Sequence, residues 1–304
     1  MKKLIYISIL VLAPVLSFGQ QFPFMDGYIL NPFNMTPAYA GLYNTKTVFV
    51  DYRSDWSGIA GGPTTYQLSY NDRLPGNVGI GGRFIYDKTD IFKQTMLLGT
   101  YTYEVRFGEN HIVNLGLSAG FYRNSIDLAK YYNDPTYAND AVLIYGLEKS
   151  RLKFATDVSV LYRLGSLSGG ILFSNVMYGS AMYNSSDISY KPFKNFLVHA
   201  SYNYTIDERW QVKPFVLVRG GQHFPTQLEL SSQVSYQKKL WVSIVFRTGG
   251  IFGMGVGGEV LKGVLLNYSY NICNNVSMNT FGSHQIMLGV RFFNPKQAKQ
   301  SAEK

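Results

Sequence analysis

Histidine, serine and cysteine side chains are the groups in this sequence that could bind a metal ion or act as catalytic bases and nucleophiles. The histidines are His111, His199, His223 and His284. No two of them have the spacing of a metal-binding pair, and His199 is expected to form a hydrogen bond on the polar face of a strand. Ser283 and His284 are neighbours, so in a strand they point to opposite faces and cannot work as nucleophile and base. The sequence therefore predicts a protein that is not an enzyme and needs no cofactor.

A glycine-rich run at 253–258 and a net charge of +9 are the other features that could indicate a ligand. The glycines alternate with apolar residues and no helix follows, which is unlike a dinucleotide-binding loop. The lysines and arginines form no cluster, so the charge predicts no nucleic-acid partner. The single cysteine, Cys273, cannot form an internal disulfide.

The segments that must position these side chains alternate between apolar and polar residues. In 197–206, 264–272 and 286–292 one face is apolar and rich in aromatic residues, and the other face is polar. Only 15% of the residues are charged, against about 25% in soluble proteins. Alternation over nearly the whole chain favours an all-β fold, an antiparallel transmembrane β-barrel with lipid outside and a polar lumen.

About fourteen strands can be assigned from this pattern, an even number as in bacterial single-chain barrels. We predict them near residues 45–53, 64–72, 77–88, 93–107, 111–123, 151–164, 166–178, 194–206, 210–221, 226–236, 240–248, 252–261, 263–272 and 282–292. Alternate connections are tight turns, and all the long ones (54–63, 124–150, 179–193 and 273–281) lie at the other end of the barrel. Since short turns face the periplasm in such barrels, both termini are expected there.

The two ends of the chain lie outside the predicted barrel. Two lysines, an apolar run and small residues before Gln20 are typical of a cleaved signal peptide, so residues 1–19 are expected to be removed. Residues 20–44 are predicted to be a periplasmic lead-in or a plug, and to be extended because of Pro32 and Pro37. The barrel is expected over 45–293 and a short periplasmic tail over 294–304.

Charged residues recur on the polar faces of the predicted strands. Charge at membrane depth is costly unless it is paired or hydrated, so these residues are expected to face the lumen. They include Arg83, Glu104, Arg106, Asp157, Arg163, Arg219, Glu229, Arg247 and Arg291. Their mixed signs favour a paired network over a pore lining, because selective pores often use rings of one sign.

Three segments together resemble the PorP/SprF family. The first holds Asn31, Pro32, Pro37, Ala38 and Gly41; the second holds Tyr52, Arg53, Trp56, Gly58 and Pro63; the third holds Gly282, Ser283 and His284. Thr36, Asp55 and Gln285 differ from the residues that are usual in the family. Arg53 is expected to pair with Asp51 or Asp55, and Trp56 to anchor either the membrane interface or its own loop.

The resemblance implies a component of the type IX secretion system in the outer membrane of Bacteroidota. Some members of the family belong to the core machinery and meet periplasmic components, whereas others serve one large surface adhesin in export, attachment or gliding motility. The expected partners are thus membrane lipid, a secreted surface protein and periplasmic secretion components. Four loop tyrosines, Tyr131, Tyr132, Tyr137 and Tyr145, are candidates for binding the secreted partner. The alternatives are a porin or transporter for a small solute, and a purely structural barrel.

Overall fold

The structure is a computed structural model that describes residues 24–43, 45–108, 110–127, 151–174, 195–221, 224–273 and 282–292. Within these residues the chain forms fifteen strands in one sheet. They are β1 (Lys46–Ser54), β2 (Thr64–Leu74), β3 (Val78–Thr89), β4 (Phe92–Phe107), β5 (His111–Ile126), β6 (Arg151–Leu164), β7 (Leu167–Phe173), β8 (Phe196–Tyr202), β9 (Tyr204–Thr205), β10 (Trp210–Gly221), β11 (Phe224–Tyr236), β12 (Leu240–Arg247), β13 (Ile251–Leu261), β14 (Val264–Cys273) and β15 (Ser283–Phe292).

The sheet closes on itself into a barrel. Every neighbouring pair is antiparallel, the first and last strands pair from Lys46↔Phe292 to Ser54↔His284, and β10 pairs with β11 to complete the ring. Strands β8 and β9 both pair with β10 on the same side, one after the other, so the fifteen strands occupy fourteen positions. The predicted antiparallel barrel of fourteen strands is confirmed.

Two predicted strands differ from the observed ones. The strand predicted at 194–206 is divided at Asn203 into β8 and β9, and both parts keep the same register with β10. The strand predicted at 166–178 ends at Phe173, and residues 175–178 lie outside the described residues.

The barrel wall is apolar outside and polar inside. On β1, Val50 and Tyr52 are 49% and 37% exposed, whereas Asp51 between them is fully buried. The same alternation places buried Ser69, Asn114 and Ser118 on the inner face of other strands. An exposed apolar belt around a polar interior is the reverse of a soluble fold and matches a barrel surrounded by lipid.

The two ends of the barrel differ in their connections. At the short-turn end, which we define by the turns after β2, β4, β6, β9, β11 and β13, tight turns use left-handed residues such as Asn77 and Gly108. At the long-loop end, the connection 55–63 is described, and 128–150, 175–194 and 274–281 lie outside the described residues. The start of β1 and the end of β15 both lie at the short-turn end.

Residues 24–43, which we call the plug, form three 3₁₀ helices, η1 (Asp26–Ile29), η2 (Pro32–Asn34) and η3 (Pro37–Tyr39). The predicted extended conformation is wrong here, because each proline takes the first position of a helical turn, where no amide donor is needed. None of the helices in the described residues is long and apolar enough to span a membrane.

Candidate functional site

The plug lies inside the barrel and contacts the wall on all sides. Its residues form hydrogen bonds with β1, β2, β3, β4, β6, β11, β12, β14 and β15, and its rings pack on β8 and β10. Phe24 and Asp26 lie near the long-loop end, and the segment then runs along the lumen to Tyr43 and β1 at the short-turn end. The lumen is therefore occupied by the chain's own N-terminal segment.

A buried ion cluster fixes the start of the plug, and we call it the Asp26 cluster. Arg53 Nη1 donates to Asp26 Oδ2 at 2.5 Å, and Arg247 Nη2 donates to Asp26 Oδ1 at 2.8 Å. Asn271 also donates to the carboxylate, and the backbone amide of Asp26 donates to Gln285 Oε1 at 2.8 Å. Asp26 thus joins β1, β12 and β14 through its carboxylate and β15 through its backbone amide.

Further acids balance the two arginines of this cluster. Arg53 donates to Asp55 Oδ1 at 2.8 Å, and Arg247 Nε donates to Glu229 Oε2 at 2.5 Å. Burial by itself would raise the pKa of the Asp26 carboxyl, but Arg53 and Arg247 outweigh it and hold that pKa well below its ordinary value. Asp26 therefore stays charged while it is docked.

The stability that Asp26 gives to plug docking is expected to depend on pH only in strong acid. A carboxyl whose pKa is lowered by docking stabilises the docked state above the ordinary value of 3.8, and the stability is lost as pH falls below it. We expect protease protection of the plug to be constant from neutral pH to about pH 5 and to weaken below about pH 4. Release between pH 5 and 7 would contradict this assignment.

The middle of the plug is held by side chains that reach the inner wall. Tyr28 Oη lies 2.6 Å from Ser231 Oγ, and Asn31 Nδ2 donates to Ser69 Oγ at 2.9 Å. Burial raises the pKa of Tyr28 and of Tyr39 well above the ordinary range, so both phenols remain neutral donors. Polar pairing of this kind satisfies the buried polar side chains of the inner wall.

Helix η3 presses its backbone directly against the wall. Ala38 N donates to Ser159 Oγ at 2.9 Å, and Thr102 Oγ1 donates to the carbonyl of Pro37 at 2.9 Å. This approach requires glycine, because a Cβ on Gly116 would lie 2.4 Å from Ala38 N, and one on Gly79 would lie 2.1 Å from the carbonyl oxygen of Ala40. The wall is thus shaped to the plug backbone.

A second ion cluster lies near the short-turn end, and we call it the Glu104 cluster. Glu104 is 2% exposed and accepts from Arg73 and Arg163, both at 2.8 Å, and from Arg106 at 2.9 Å. The Arg106 side chain is 59% exposed. One carboxylate among three guanidinium groups leaves this rim of the barrel positively charged.

The other predicted lumen residues have distinct environments. Arg83 and Asp157 form a buried pair at 2.9 Å. Arg219 is buried beneath the ring of Phe24, with its Cζ 4.4 Å from the ring centre, and donates to Gln227. Arg291 lines a cavity together with Leu30 and Tyr43.

The three segments that resemble the family meet around the Asp26 cluster. Arg53 pairs with Asp55 and Asp26, and Asp51 instead accepts from Asn34 and Gln285. In the loop 55–63, Trp56 has a left-handed backbone conformation and its side chain is 43% exposed. The backbone amide of Asp55 donates to the carbonyl of Pro63, and Gly58 lies in the exposed part of the loop. Asn31, Pro32, Pro37, Ala38 and Gly41 all belong to the buried plug.

The third of these segments begins at Gly282, which accepts a backbone hydrogen bond from Ser57 and so ties β15 to the first loop. Ser283 is buried, whereas His284 lies 2.7 Å from Tyr268 Oη on the outer face, where Tyr52 is also exposed. Ser283 and His284 are therefore not partners.

The histidines show no shared chemistry among the described residues. The expected hydrogen bond of His199 is not found there, because its ring packs between Tyr39 and Phe215. His111 contacts Tyr162 Oη, and no group of three or more His, Cys, Asp and Glu side chains in the described ranges could hold a metal ion. His223 and the four loop tyrosines, Tyr131, Tyr132, Tyr137 and Tyr145, lie outside the described residues.

Sequence analysis missed Asp26 and Asn271 as site residues. Asp26 is the only charged residue between Gln20 and Asn44, in a segment otherwise rich in aromatic residues and proline. A lone charge in such a segment indicates a buried ion pair, because apolar surroundings offer nothing else to offset the free-energy cost of burying the charge. Asn271 carried no comparable signal.

Comparison with known proteins identifies the family. A family model described as type IX secretion system membrane protein PorP/SprF matches residues 17–290. The chain belongs to the PorP/SprF family. The resemblance seen in the three segments is thus confirmed, and the family together with the barrel fold indicates an outer-membrane protein.

Similarity to solved structures concerns only the fold of this PorP/SprF chain. The toluene transporter TodX of P. putida is similar with a TM-score of 0.51 and 10% identity, over 85% of this chain and 93% of that chain. The outer membrane protein Omp33 of Acinetobacter baumannii has a TM-score of 0.46 and 10% identity, over 83% of this chain and 99% of that chain. No match was found among curated proteins.

Proposed function

We propose that this PorP/SprF protein is a non-enzymatic docking barrel of the type IX secretion system. It supports the export and surface anchoring of a secreted partner, an adhesin or a gliding-type protein, and meets periplasmic components at its other end. The observation that carries the proposal is the occupied lumen: a barrel filled by its own ion-paired plug is suited to holding partners and not to passing solutes. The same observation argues against a porin or transporter for a small solute.

The orientation follows from the rule that short turns face the periplasm. We assign the short-turn end to the periplasm, so the C-terminal end of β15 and the positive rim of the Glu104 cluster face periplasmic partners. The expectation that both termini are periplasmic is kept for the C-terminus. Phe24 lies near the long-loop end, so we assign the start of the plug to the outer side of the lumen.

The outer loops are the proposed contact for the secreted partner. We expect the combined replacement of Tyr131, Tyr132, Tyr137 and Tyr145 by serine to lower recovery of that partner at least about tenfold, because large aromatic side chains carry most binding energy at interfaces. The measurement is purification of the tagged barrel from its own outer membrane with quantification of the bound proteins.

A matched control separates binding from folding. Tyr204→Ser alters an exposed tyrosine near the short-turn end and should leave recovery of the secreted partner unchanged. Equal recovery with the four-tyrosine variant and the wild type would refute the assigned loop surface. A barrel that is always purified alone under gentle conditions would refute the docking function.

A further inference from the structure

A cavity lies at the short-turn end, where the plug leaves the lumen. It holds about 1160 Å³ of empty space, its open mouth included. Tyr43 of the plug forms one side, and β10, β11, β12 and β15 form the other. Lys238, which also lines the cavity, belongs to the turn after β11, so the mouth opens at the short-turn end.

Three cationic side chains line this cavity, and no acidic side chain of the described residues does. They are Lys213, Lys238 and Arg291, and we call the space that they line the basic cavity. Lys213 and Arg291 are half-buried and Lys238 is exposed, so a ligand can reach all three. None of them forms an ion pair within the part of the chain that the structure describes. A cleft lined by one sign of charge attracts ligands of the opposite sign.

The basic cavity differs in this respect from the Asp26 cluster. There Arg53 pairs with Asp26 and Asp55, and Arg247 pairs with Asp26 and Glu229. The protein thus balances its cations at the start of the plug and not at the end. An anion bound in the basic cavity would supply the missing charge.

The basic cavity faces the lumen and not the lipid. Lys213 lies on the same face of β10 as Phe215, and Arg291 on the same face of β15 as Met287, and both of these neighbours are buried inside the barrel. The wall therefore separates the cations from lipid headgroups. An anion must enter from the aqueous side, through the mouth at the short-turn end.

Positive charge continues beyond the mouth over the short-turn end. The side chains of Lys46 and Arg106 are 58% and 59% exposed, and Lys239 and Lys262 are exposed in the turns after β11 and β13. A small anion would fill the cavity alone, whereas an acidic protein segment would also meet this surface. The extent of the charge therefore favours a protein.

The chain's own residues 294–304, which follow β15 in sequence, are an alternative occupant. They carry three lysines and one glutamate. Their charge has the same sign as that of the basic cavity, so electrostatic repulsion disfavours their entry. A segment of another protein fits the charge better.

We propose that the basic cavity binds an acidic peptide segment of a periplasmic partner, whose carboxylates pair with Lys213, Lys238 and Arg291. The proposal rests on the docking function and the orientation given above, and it assigns the periplasmic contact to a specific site.

Neutralising the three cations tests the charge of the basic cavity. The combined variant Lys213→Gln, Lys238→Gln and Arg291→Gln should bind the capped peptide N-acetyl-tetraglutamate amide at least about tenfold more weakly than the wild type. Titration calorimetry of the detergent-solubilised barrel measures it. Because the three side chains have no acidic partner in the described residues, the variant should keep the wild-type melting temperature. Lys238→Gln alone, at an exposed turn position, should already weaken binding about threefold.

The control for this variant removes the same charge at the other end of the barrel. Lys88→Gln, Lys93→Gln and Arg123→Gln together should bind the peptide as the wild type does. An equal loss in the control, no loss in the cavity variants, or no binding to the wild type would overturn the proposal. Inorganic phosphate that binds as tightly as the peptide would indicate a site for a small anion and would also overturn it.

Photo-crosslinking in native membranes tests the occupant. A benzoylphenylalanine at Gln233, which lines the cavity, should crosslink to an acidic segment of a periplasmic partner. The same group at Val234, which is 38% exposed on the lipid face, should not. Crosslinks from position 233 only to residues 294–304, only to lipid, or to nothing would overturn the proposal while the docking function stands, if a periplasmic partner still co-purifies. A wild-type barrel that never co-purifies with one would refute the periplasmic part of the docking function as well.

Discussion

Asp26→Ala is expected to release the start of the plug and to weaken its docking by about 3 kcal/mol. Removing one member of a buried ion pair generally costs about 3–5 kcal/mol. The lower end applies here because Arg53 keeps Asp55, and Arg247 keeps Glu229, when the Asp26 carboxylate is lost. Such a change raises the undocked fraction about 100-fold. Hydrogen exchange of the plug amides in lipid vesicles measures it.

The control for Asp26 is an acid outside the lumen. Glu208→Ala removes an exposed carboxylate from the turn after β9 and should leave exchange in the plug at the wild-type rate. A further variant, Asp26→Asn, keeps the size of the side chain and loses its charge, so it should behave like Asp26→Ala if the ion pairs hold the plug. Protection equal to wild type in both Asp26 variants would contradict the assigned role of the cluster.

Gly116→Ala and Gly79→Ala together are expected to displace η3 from the wall. The added Cβ atoms would lie 2.4 Å and 2.1 Å from backbone atoms of Ala38 and Ala40. The plug backbone cannot move away from an added methyl group as a flexible side chain can, so each clash should cost about 1–3 kcal/mol of docking stability. Limited proteolysis between residues 34 and 43 measures the displacement.

Gly82→Ala provides a matched control on the same strand as Gly79. Its added Cβ would find only Leu98 O, at an ordinary 3.7 Å, so the plug should remain protected. Equal protection in the double variant and in Gly82→Ala would mean that η3 does not need the glycines of the wall.

Most of the barrel could be predicted from the sequence, because lipid outside and a polar lumen inside impose alternation on every strand. The strands predicted at 151–164 and 210–221 coincide with β6 and β10. The interruption at Asn203 could not be predicted, since the alternation continues through it.

The site was predicted less completely than the fold. Arg53 was expected to pair locally, and Asp55 is indeed one partner, but the other is Asp26 in the plug. The two arginine partners of Asp26 are 27 and 221 residues away along the chain. Neither the periodicity of the strands nor the spacing of residues in a motif indicates contacts over such distances. The helical turns at Pro32 and Pro37 were missed for a similar reason: enclosure in the barrel favours compact turns over the extended chain expected of proline in isolation.

The occupied lumen is the central claim, and ion conductance of the purified barrel in a planar lipid bilayer tests it most directly. The wild type is expected to pass little current, whereas Asp26→Ala and a variant lacking residues 24–43 should open and conduct. Gly82→Ala serves as the folded, closed control. A wild-type barrel that conducts as well as the variant without the plug would contradict the account and support a solute channel.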